Sequence, residues 1–269
     1  MLKIYKQEKA TNRMLHEADI ANARKEYKSK KNKNLARLLE NRFLWMNTFI
    51  DFEDSGLELG AGIGASKDFI KCNQFIITDF NDFDWLDHKN VDALETNYTD
   101  ETFDFVIASN VIHHLAFPKI FFDEIYRILK PNGRLIIQDI YTSILMRLVL
   151  RAMRHEGYDE SADPFGNDRP CNNPDDPWSA NCSIPKILFN FRKQFEEQFP
   201  HWELLQNKKT EFLMFLNSGG VVAKTFYIPL RPTLLKAVEI LDRFLCRISP
   251  DLFALQCQVV LIKRGHKKN

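Results

Sequence analysis

The sequence has 269 residues, 45% of them hydrophobic and 27% charged, enough for one large α/β domain or two small ones with an ordinary core. The formal net charge is only +1, which argues against a global positive field that would recruit nucleic acid. The first residues contain no apolar signal-peptide region and the chain has no run of 18 apolar residues, so we expect a cytoplasmic protein.

The cysteine pattern argues against a disulfide framework. The five cysteines are odd in number, widely spaced and free of any C-x-x-C pair, which favours free thiols in a reducing compartment. Cys171 and Cys182 share one polar loop, but zinc ligands are usually spaced more tightly. We therefore expect no metal site.

Residues 1–50 are highly charged and look helical. Apolar residues recur at helical spacing over residues 34–50, which predicts a helix that packs on a sheet. The basic run at residues 24–31 has two interpretations, a solvated helix face or a lid that contacts an anion. We predict an N-terminal helical lid or packing segment.

A glycine-rich stretch follows the first predicted strand, which ends in Glu58-Leu59. Each glycine lacks a Cβ, so the backbone can turn sharply and approach a ligand closely. A helix predicted at residues 65–70 would direct its free N–H groups towards that ligand. The pattern also fits the G-x-G-x-x-G/A loop of NAD-binding proteins, so it does not identify the cofactor alone. The alternating glycines are Gly60, Gly62 and Gly64.

Buried apolar strands then alternate with a helical pattern, which predicts an α/β fold with a parallel, doubly wound sheet. An amphipathic helix is predicted at residues 118–129, and the Asn132-Gly133 turn separates it from the next strand. The strands predicted in this part of the chain are residues 56–59, 74–78, 103–108 and 134–139.

The pattern changes after residue 140. We predict helices at residues 141–154, 184–199 and 232–248, a polar loop at 156–182, a strand within 202–216 and a last strand at 252–263. The predicted division of the chain is an N-terminal segment (1–50), a core (51–140), a substrate cover with late sheet elements (141–250), and a last strand with a polar tail (251–269).

Four motifs in sequence order resemble the class I S-adenosylmethionine-dependent methyltransferases. They are the acid and glycine loop at residues 58–64, Asp79 at the end of the next strand, Asp92-Ala93-Leu94, and the strand at 103–107 with its following HHL and LKPNG segments. An NAD enzyme has no reason to carry those last two segments. The resemblance implies a Rossmann-like, doubly wound, mostly parallel sheet of seven strands, with an antiparallel last strand and a helical and loop cover.

The resemblance also implies a cofactor site for S-adenosylmethionine. Glu58 would attract the ammonium group, Asp79 would accept from the ribose hydroxyls, and Asp92 would accept from the adenine amino group. The alternatives for the two aspartates are a loop cap and a simple turn residue. The remaining residues expected at the cofactor are Gly60, Ala61, Gly62, Gly64, Ala93, Ser109 and Asn110.

Methyl transfer is a displacement at carbon, so the enzyme mainly aligns the acceptor and manages its proton. His113 and His114 follow the strand at 103–108, and one of them, with His114 ahead, could act as a base. The pair could instead pack under the cofactor. Asp139 and Tyr141 are further candidates for proton handling or substrate orientation, against a capping and packing role.

The acceptor is expected to be a small molecule or a lipid- or glycan-linked intermediate, methylated at oxygen. The strand at 103–108 is followed by Ser109-Asn110-Val111 rather than Asn/Asp-Pro-Pro-aromatic, which argues against a nucleic-acid substrate. The alternatives are C- or N-methylation of a quinone-like metabolite and a non-catalytic cofactor-binding partner subunit.

Two segments are candidates for contact with the acceptor or its surroundings. The helix at residues 144–151 is apolar with spaced arginines, which suggests a peripheral membrane contact as an alternative to a core position. Within the 156–182 loop, residues 163–166 and 175–178 place aromatic residues beside acids. These could hold a sugar or polar head group, or belong to a plain surface loop.

Overall fold

The computed structural model describes residues 4–5, 20–154 and 156–265. Its main sheet has the strand order β2-β1-β3-β4-β6-β5. The first four strands in that order are parallel, and β6 is antiparallel to both β4 and β5. The strands are β1 (Ser55–Leu59), β2 (Gln74–Ile77), β3 (Phe103–Ser109), β4 (Leu129–Ile140), β5 (Trp202–Thr210) and β6 (Gln256–Lys263).

Helices cover both faces of the sheet, which confirms the predicted doubly wound α/β class. A separate two-residue strand, Ile4–Tyr5, pairs with Tyr158–Asp159. The helices are α1 (Ile20–Lys28), α2 (Lys33–Leu44), α3 (Pro118–Ile128), α4 (Ile144–Met153), α5 (Ile184–Phe189), α6 (Arg192–Gln198), α7 (Leu213–Leu216), α8 (Pro232–Ile248) and α9 (Pro250–Phe253).

The core lies in two layers because successive side chains of a strand point to opposite faces. In β3, Val106 and Ala108 pack with α3, α5 and α6, whereas Phe105 and Ile107 pack with α1 and α2. All four are fully buried, as expected for a central strand of a parallel sheet. The predicted division of the chain into four segments stays a prediction, and residues 6–19 and 266–269 lie outside the described part.

The helix predicted at residues 65–70 is wrong. The chain forms only a 3₁₀ turn, Ser66–Asp68, because the glycine loop uses part of the short connection between β1 and β2. Parallel strands usually need a dozen or more residues for a helical crossover. Helix α1 covers this position, since Tyr27 Oη and Lys28 Nζ donate to Asp68 at 2.7 and 2.8 Å.

The predicted seventh strand does not appear in the described residues. The connection from β2 to β3 forms a loop in which the isolated Thr78–His88 bridge is the β-type pairing. Acids and amides interrupt this loop every few residues, so it lacks a run of β-branched or aromatic residues that could extend the sheet. The sheet therefore ends at β2.

Helix α4 packs one face against the core. Ser143 Oγ accepts from the Met146 N–H at its start, and Met146 and Leu150 are buried. Arg147 pairs with Glu160, and Arg151 donates to the Tyr158 hydroxyl at 2.8 Å, so both arginines bind within the fold. The membrane contact suggested for this segment stays a prediction, since Ile144 and Leu148 on the other face of the helix are exposed. Among the described helices, none is both long and apolar enough to span a bilayer.

Candidate functional site

A cavity of about 710 Å³ lies where the chain leaves the carboxyl ends of β1, β2 and β3. Its size is typical of small-molecule sites, which enclose about 300–1,000 Å³. The structure brings together all but one of the residues predicted for the cofactor. Those that line the cavity are Glu58, Gly60, Ala61, Gly62, Asp79, Asp92, Ala93, Ser109 and Asn110.

The glycine loop needs its glycines for different reasons. Gly60, Gly62 and Gly64 all have positive φ angles, of 71°, 50° and 65°. A Cβ at Gly60 would lie 2.4 Å from Val111, whereas a Cβ at Gly62 would enter open space. Gly64 does not line the cavity, and a Cβ there would lie 2.9 Å from the Arg24 guanidinium. Its role is therefore close packing, which differs from the predicted contact with the cofactor.

Helix α1 holds the glycine loop from outside the cavity. The Arg24 guanidinium donates to the Ile63 carbonyl and lies 4.7 Å above the Trp85 ring. Trp85 Nε1 in turn donates to the Gly62 carbonyl at 2.8 Å. Since Ile20 lines the cavity, α1 also forms part of its wall. Arg24 thus binds the Ile63 carbonyl of the loop here, rather than an anion.

Glu58 lies in an acidic and buried environment. Its carboxyl accepts a hydrogen bond from Ser66 Oγ and is 1% exposed. Burial, together with the neighbouring negative charge of Asp79, raises the pKa of Glu58 to about 8. The group therefore holds a proton at neutral pH, and a cation bound beside it would favour its release.

Asp79 already accepts three hydrogen bonds. Its Oδ2 accepts from the Gly62 N–H at 2.9 Å, and its Oδ1 accepts from the backbone and side-chain N–H groups of Asn81 at 2.9 and 2.8 Å. A carboxylate offers about four acceptor sites. One ligand hydroxyl can bind without rearrangement, and a second would replace the Asn81 side-chain amide. The predicted loop-cap role and the position at the cavity therefore occur together.

Asp92 combines the same two features. Its Oδ1 accepts from the Leu94 N–H at 2.8 Å, which is the local pattern of a turn residue, while the residue also lines the cavity. The side chain is exposed, so its remaining oxygen can accept from a ligand. Ala93 and Leu94 line the cavity beside it.

A polar network supports the cavity below Asn110, whose φ of 57° is tolerated by asparagine more readily than by most residues. Its Oδ1 accepts from Gln256 at 3.2 Å, and Gln138 donates both to Gln256 at 3.2 Å and to Glu211 at 3.3 Å. The buried Arg42 pairs with Glu211 at 2.8 Å. The network ties α2, β4 and β6 to the turn after β3.

The predicted catalytic residues His113 and Asp139 form a buried pair. His113 Nδ1 lies 2.6 Å from Asp139 Oδ1, and Asp139 Oδ2 accepts from the Ile112 N–H at 2.8 Å. Burial alone would lower the pKa of His113, but the Asp139 carboxylate and, to a smaller extent, Glu156 outweigh it and raise the pKa to about 10. His113 is therefore an imidazolium at neutral pH. His113 lines the cavity, whereas Asp139 lies behind it.

The pKa of His114 is shifted in the opposite direction to that of His113. Burial and the adjacent His113 charge lower its pKa to about 4, so it is neutral at physiological pH. Its Nδ1 lies 3.1 Å from the Ser179 carbonyl, which can only accept, so this nitrogen carries the hydrogen. The other ring nitrogen is then free of a proton and can accept a hydrogen bond. The two rings lie 4.1 Å apart.

Glu156 is a cavity residue that the sequence did not reveal. Its Oε1 lies 3.8 Å from His113 Nε2, and its Oε2 accepts from the Cys182 thiol at 3.2 Å. One ligand atom each from His113, His114 and Glu156 lie within 4.8 Å of one another. Each of the three side chains also contacts a group outside the cluster, which is Asp139 for His113, the Ser179 carbonyl for His114 and the Cys182 thiol for Glu156.

The predicted cover contributes one of its two aromatic and acidic segments to the cavity. Asp175, Asp176 and Trp178 line it, together with Phe215. Residues 163–166 do not, because Phe165 packs against the core and its ring lies 6.0 Å from that of Phe199. Val221, Val222 and Ala223 complete the cover.

Tyr141 lies away from the cavity. Its hydroxyl donates to Asp251 at 2.6 Å, and burial raises its pKa. The predicted role in proton handling does not fit this position, because the hydroxyl serves to join β4 to α9. The capping and packing role describes Tyr141 better.

Comparisons with known proteins agree with this geometry. A family model described as a methyltransferase domain matches residues 57–137. A demethylmenaquinone methyltransferase of Streptomyces griseus is 28% identical over 120 residues, and the match covers 36% of this chain and 52% of the relative. The chain thus spans about half the length of that relative.

Two solved structures share the fold. A S-adenosylmethionine-dependent methyltransferase from Archaeoglobus fulgidus is 15% identical, with a TM-score of 0.53, covering 87% of this chain and 97% of that one. A putative methyltransferase solved with the Haloferax volcanii Trm112 activator is 14% identical, with a TM-score of 0.51, covering 96% of this chain and 100% of that one.

Proposed function

We propose that this chain is a class I S-adenosylmethionine-dependent methyltransferase and that it methylates a small or lipid- or glycan-linked intermediate, at a hydroxyl oxygen. One observation carries the proposal. One cavity is lined by the glycine loop, Glu58 and Asp79 and also by the charged His113 and the neutral His114. A cofactor and an acceptor can therefore meet within it.

The cavity residues fit the family cofactor, S-adenosylmethionine. The negative charge of Asp79 contributes to the raised pKa of the neighbouring Glu58. The pocket is therefore acidic and suits a ligand with positive charge. Gly62 leaves open space where a side chain would stand, and Asp79 and Asp92 retain acceptor capacity. Glu58 and Gly60–Gly62 would hold the methionine part, Asp79 the ribose, and Asp92 with Ala93 the adenine.

When bound, S-adenosylmethionine supplies a methyl group activated by its positively charged sulfur. The chain's own residues act on the acceptor. The Asp139 carboxylate keeps His113 positively charged, and this charge favours the ionised form of a hydroxyl placed beside it. The unprotonated nitrogen of His114 accepts that hydroxyl's hydrogen bond, and the Glu156 carboxylate beside His113 offers a site for its proton. Trp178 and Phe215 help to exclude water.

The direct test is methyl transfer by the purified chain. We expect S-adenosylhomocysteine and a methylated product to form when S-adenosylmethionine is mixed with apolar phenols and short-chain demethylmenaquinol, and the NMR chemical shifts of the transferred methyl would show that it is bound to oxygen. If the chain methylates none of the acceptors in the panel and none in a lipid extract, the non-catalytic partner subunit is favoured instead.

C- or N-methylation of a quinone-like acceptor is the second candidate. The Streptomyces griseus relative, named for demethylmenaquinone, favours this acceptor class. An acidic phenol needs little help from a base, so His113→Asn and His114→Gln variants would retain turnover. Loss of turnover in both variants, with the fold intact, would favour oxygen methylation of a less acidic hydroxyl.

Glu58 gives the proposal a pH signature. Its pKa of about 8 in the free protein means that it is mainly protonated at pH 7, and a bound ammonium group would lower that pKa. Binding of S-adenosylmethionine should therefore release close to one proton at pH 7. Affinity should rise with pH up to about 8 and then level off.

Calorimetric titrations at pH 7 in buffers of different ionisation enthalpy measure this proton release. A Glu58→Gln variant should bind with no release, while the exposed Glu95→Gln control should behave as the parent chain. Equal proton release by the parent chain and the Glu58→Gln variant would place the ammonium group elsewhere.

A further inference from the structure

Helix α8 lies on the protein with its acids turned inwards, beside Leu235 and Cys246, and with most of its large apolar residues turned outwards. Glu239 and Asp242 are only 6% and 5% exposed, whereas Phe244 and Ile248 are 59% and 64% exposed. A surface helix of a globular protein normally has the opposite arrangement. This orientation leaves an apolar face exposed to water, and exposed apolar patches usually mark a site of contact with another protein or a membrane.

Specific polar contacts hold α8 in this orientation. Glu239 accepts from Arg37 at 2.9 Å and from Asn41 at 2.9 Å, both on α2. Asp242 accepts from the backbone N–H groups of residues 212, 213 and 214 at 3.1, 2.8 and 2.9 Å, at the start of α7. Rolling the helix to bury its apolar face would break all of these bonds. The outward apolar face is therefore built into the fold.

The outer face of α8 is divided into two stripes. At about 100° per residue, the apolar positions occupy an arc of about 120° opposite Glu239 and Asp242, and the basic positions form a stripe along one side of it. The exposed apolar residues are Leu234, Ala237, Ile240, Leu241, Phe244 and Ile248, and the exposed bases are Lys236, Arg243 and Arg247. Because both acids are buried, every exposed charge on α8 is positive.

The apolar surface continues towards the cavity. Phe226 and Ile228, which precede α8, are 85% and 60% exposed. The segment just before them, residues 221–223, lines the cavity. At the other side, α8 contacts α7, which carries the cavity residue Phe215. We define the α8 surface as the outer face of α8 together with Phe226 and Ile228.

We propose that the α8 surface binds an anionic membrane, with the helix lying in the plane of the interface. A basic stripe beside an apolar arc is the arrangement by which interfacial helices insert side chains among acyl chains while their cations meet anionic headgroups. Charge complementarity distinguishes this partner from an uncharged surface. Membrane binding needs no cofactor and does not rest on the proposed function. It would place the cavity's cover beside a source of lipid-linked acceptors.

Flotation with vesicles, without cofactor or acceptor, tests the proposal. The full chain should float with vesicles of phosphatidylcholine containing phosphatidylglycerol, and at least tenfold less with phosphatidylcholine alone. A Phe244→Glu/Ile248→Glu variant should lose at least tenfold of this binding. Phe52→Glu is the matched control, since Phe52 is 61% exposed and lies before β1. A Lys236→Gln/Arg243→Gln/Arg247→Gln variant should lose the preference for anionic lipid.

Circular dichroism and thermal unfolding would verify that each variant keeps the parent fold. The proposal is overturned if the parent chain does not bind anionic vesicles, or if the Phe52 and Phe244/Ile248 variants bind equally. It is also overturned if light scattering gives a dimer that only the Phe244/Ile248 variant disrupts, because the α8 surface would then bind a second copy of the chain. Since these outcomes involve no methyl transfer, they are separable from failure of the proposed function.

Discussion

Replacement of Asp79 by alanine is expected to weaken S-adenosylmethionine binding by about 1.5–3 kcal/mol, on the order of 10- to 150-fold in Kd. The ligand would lose a charged acceptor for its ribose hydroxyls. The loop would also lose the bonds from the Gly62 and Asn81 N–H groups that shape the cavity. Calorimetric titration of the folded variant measures the effect directly.

Asp87→Ala is the matched control for Asp79. Asp87 also accepts a backbone hydrogen bond next to β2, from Ile77 at 2.7 Å, but it does not line the cavity. Its replacement should leave Kd within about twofold, whatever it does to stability. An unchanged Kd in Asp79→Ala, or an equal loss in both variants, would mean that the ribose does not bind at Asp79.

Replacement of Asp139 by asparagine is expected to lower kcat by about 10²- to 10⁴-fold, the usual range for a group that manages a proton. Asparagine keeps the shape of Asp139 but removes the larger of the two acidic contributions that raise the pKa of His113, the other being that of Glu156. The pKa of His113 should then fall towards the neutral range. The rate of the parent chain should show no ionisation of His113 between pH 6 and 9, while that of the variant should fall as pH rises.

The pH profile separates this role from a structural one. Asp139 also accepts from the Ile112 and Ile140 N–H groups, so some loss of stability is expected and would be measured in parallel. Asp104→Asn is the control, because Asp104 is bound to Ser55 and Lys130 at the start of β3, far along the strand from the site. A kcat that falls equally at every pH would indicate that Asp139 only supports the fold.

The positions of the strands and of most helices along the chain follow from local signals in the sequence. Helix α8 begins and ends at the predicted residues. The continuous apolar runs of β3 and β4 predict strands that are buried on both faces, and successive side chains of each strand do enter the two different core layers. The helix predicted at 65–70 failed because its place is filled by α1. The contacts of Tyr27 and Lys28 with Asp68 join residues about 40 positions apart. A local sequence pattern cannot predict contacts between residues so far apart in the chain.

The site divides in the same way. The predicted residues that line the cavity, such as Asp79 and Asn110, closely follow strands. In an open parallel sheet, ligands bind at the carboxyl ends of the strands, so position along the chain was enough to predict them. Glu156 has no such marker, because it follows α4 and meets His113 only through the folded loop. Gly64 was misread since its glycine pattern looks the same whether the missing side chain makes room for a ligand or for Arg24.

Thermal unfolding of the chain with S-adenosylmethionine, S-adenosylhomocysteine or NAD, one at a time, tests the central claim most directly. A ligand at about 100 times its Kd stabilises the native state by about 2.7 kcal/mol, which for a chain of this size raises Tm by roughly 5–10 °C. We expect that rise with the two sulfur-containing ligands and none with NAD. A rise with NAD alone, or with none of the three, would contradict an S-adenosylmethionine site at the glycine loop.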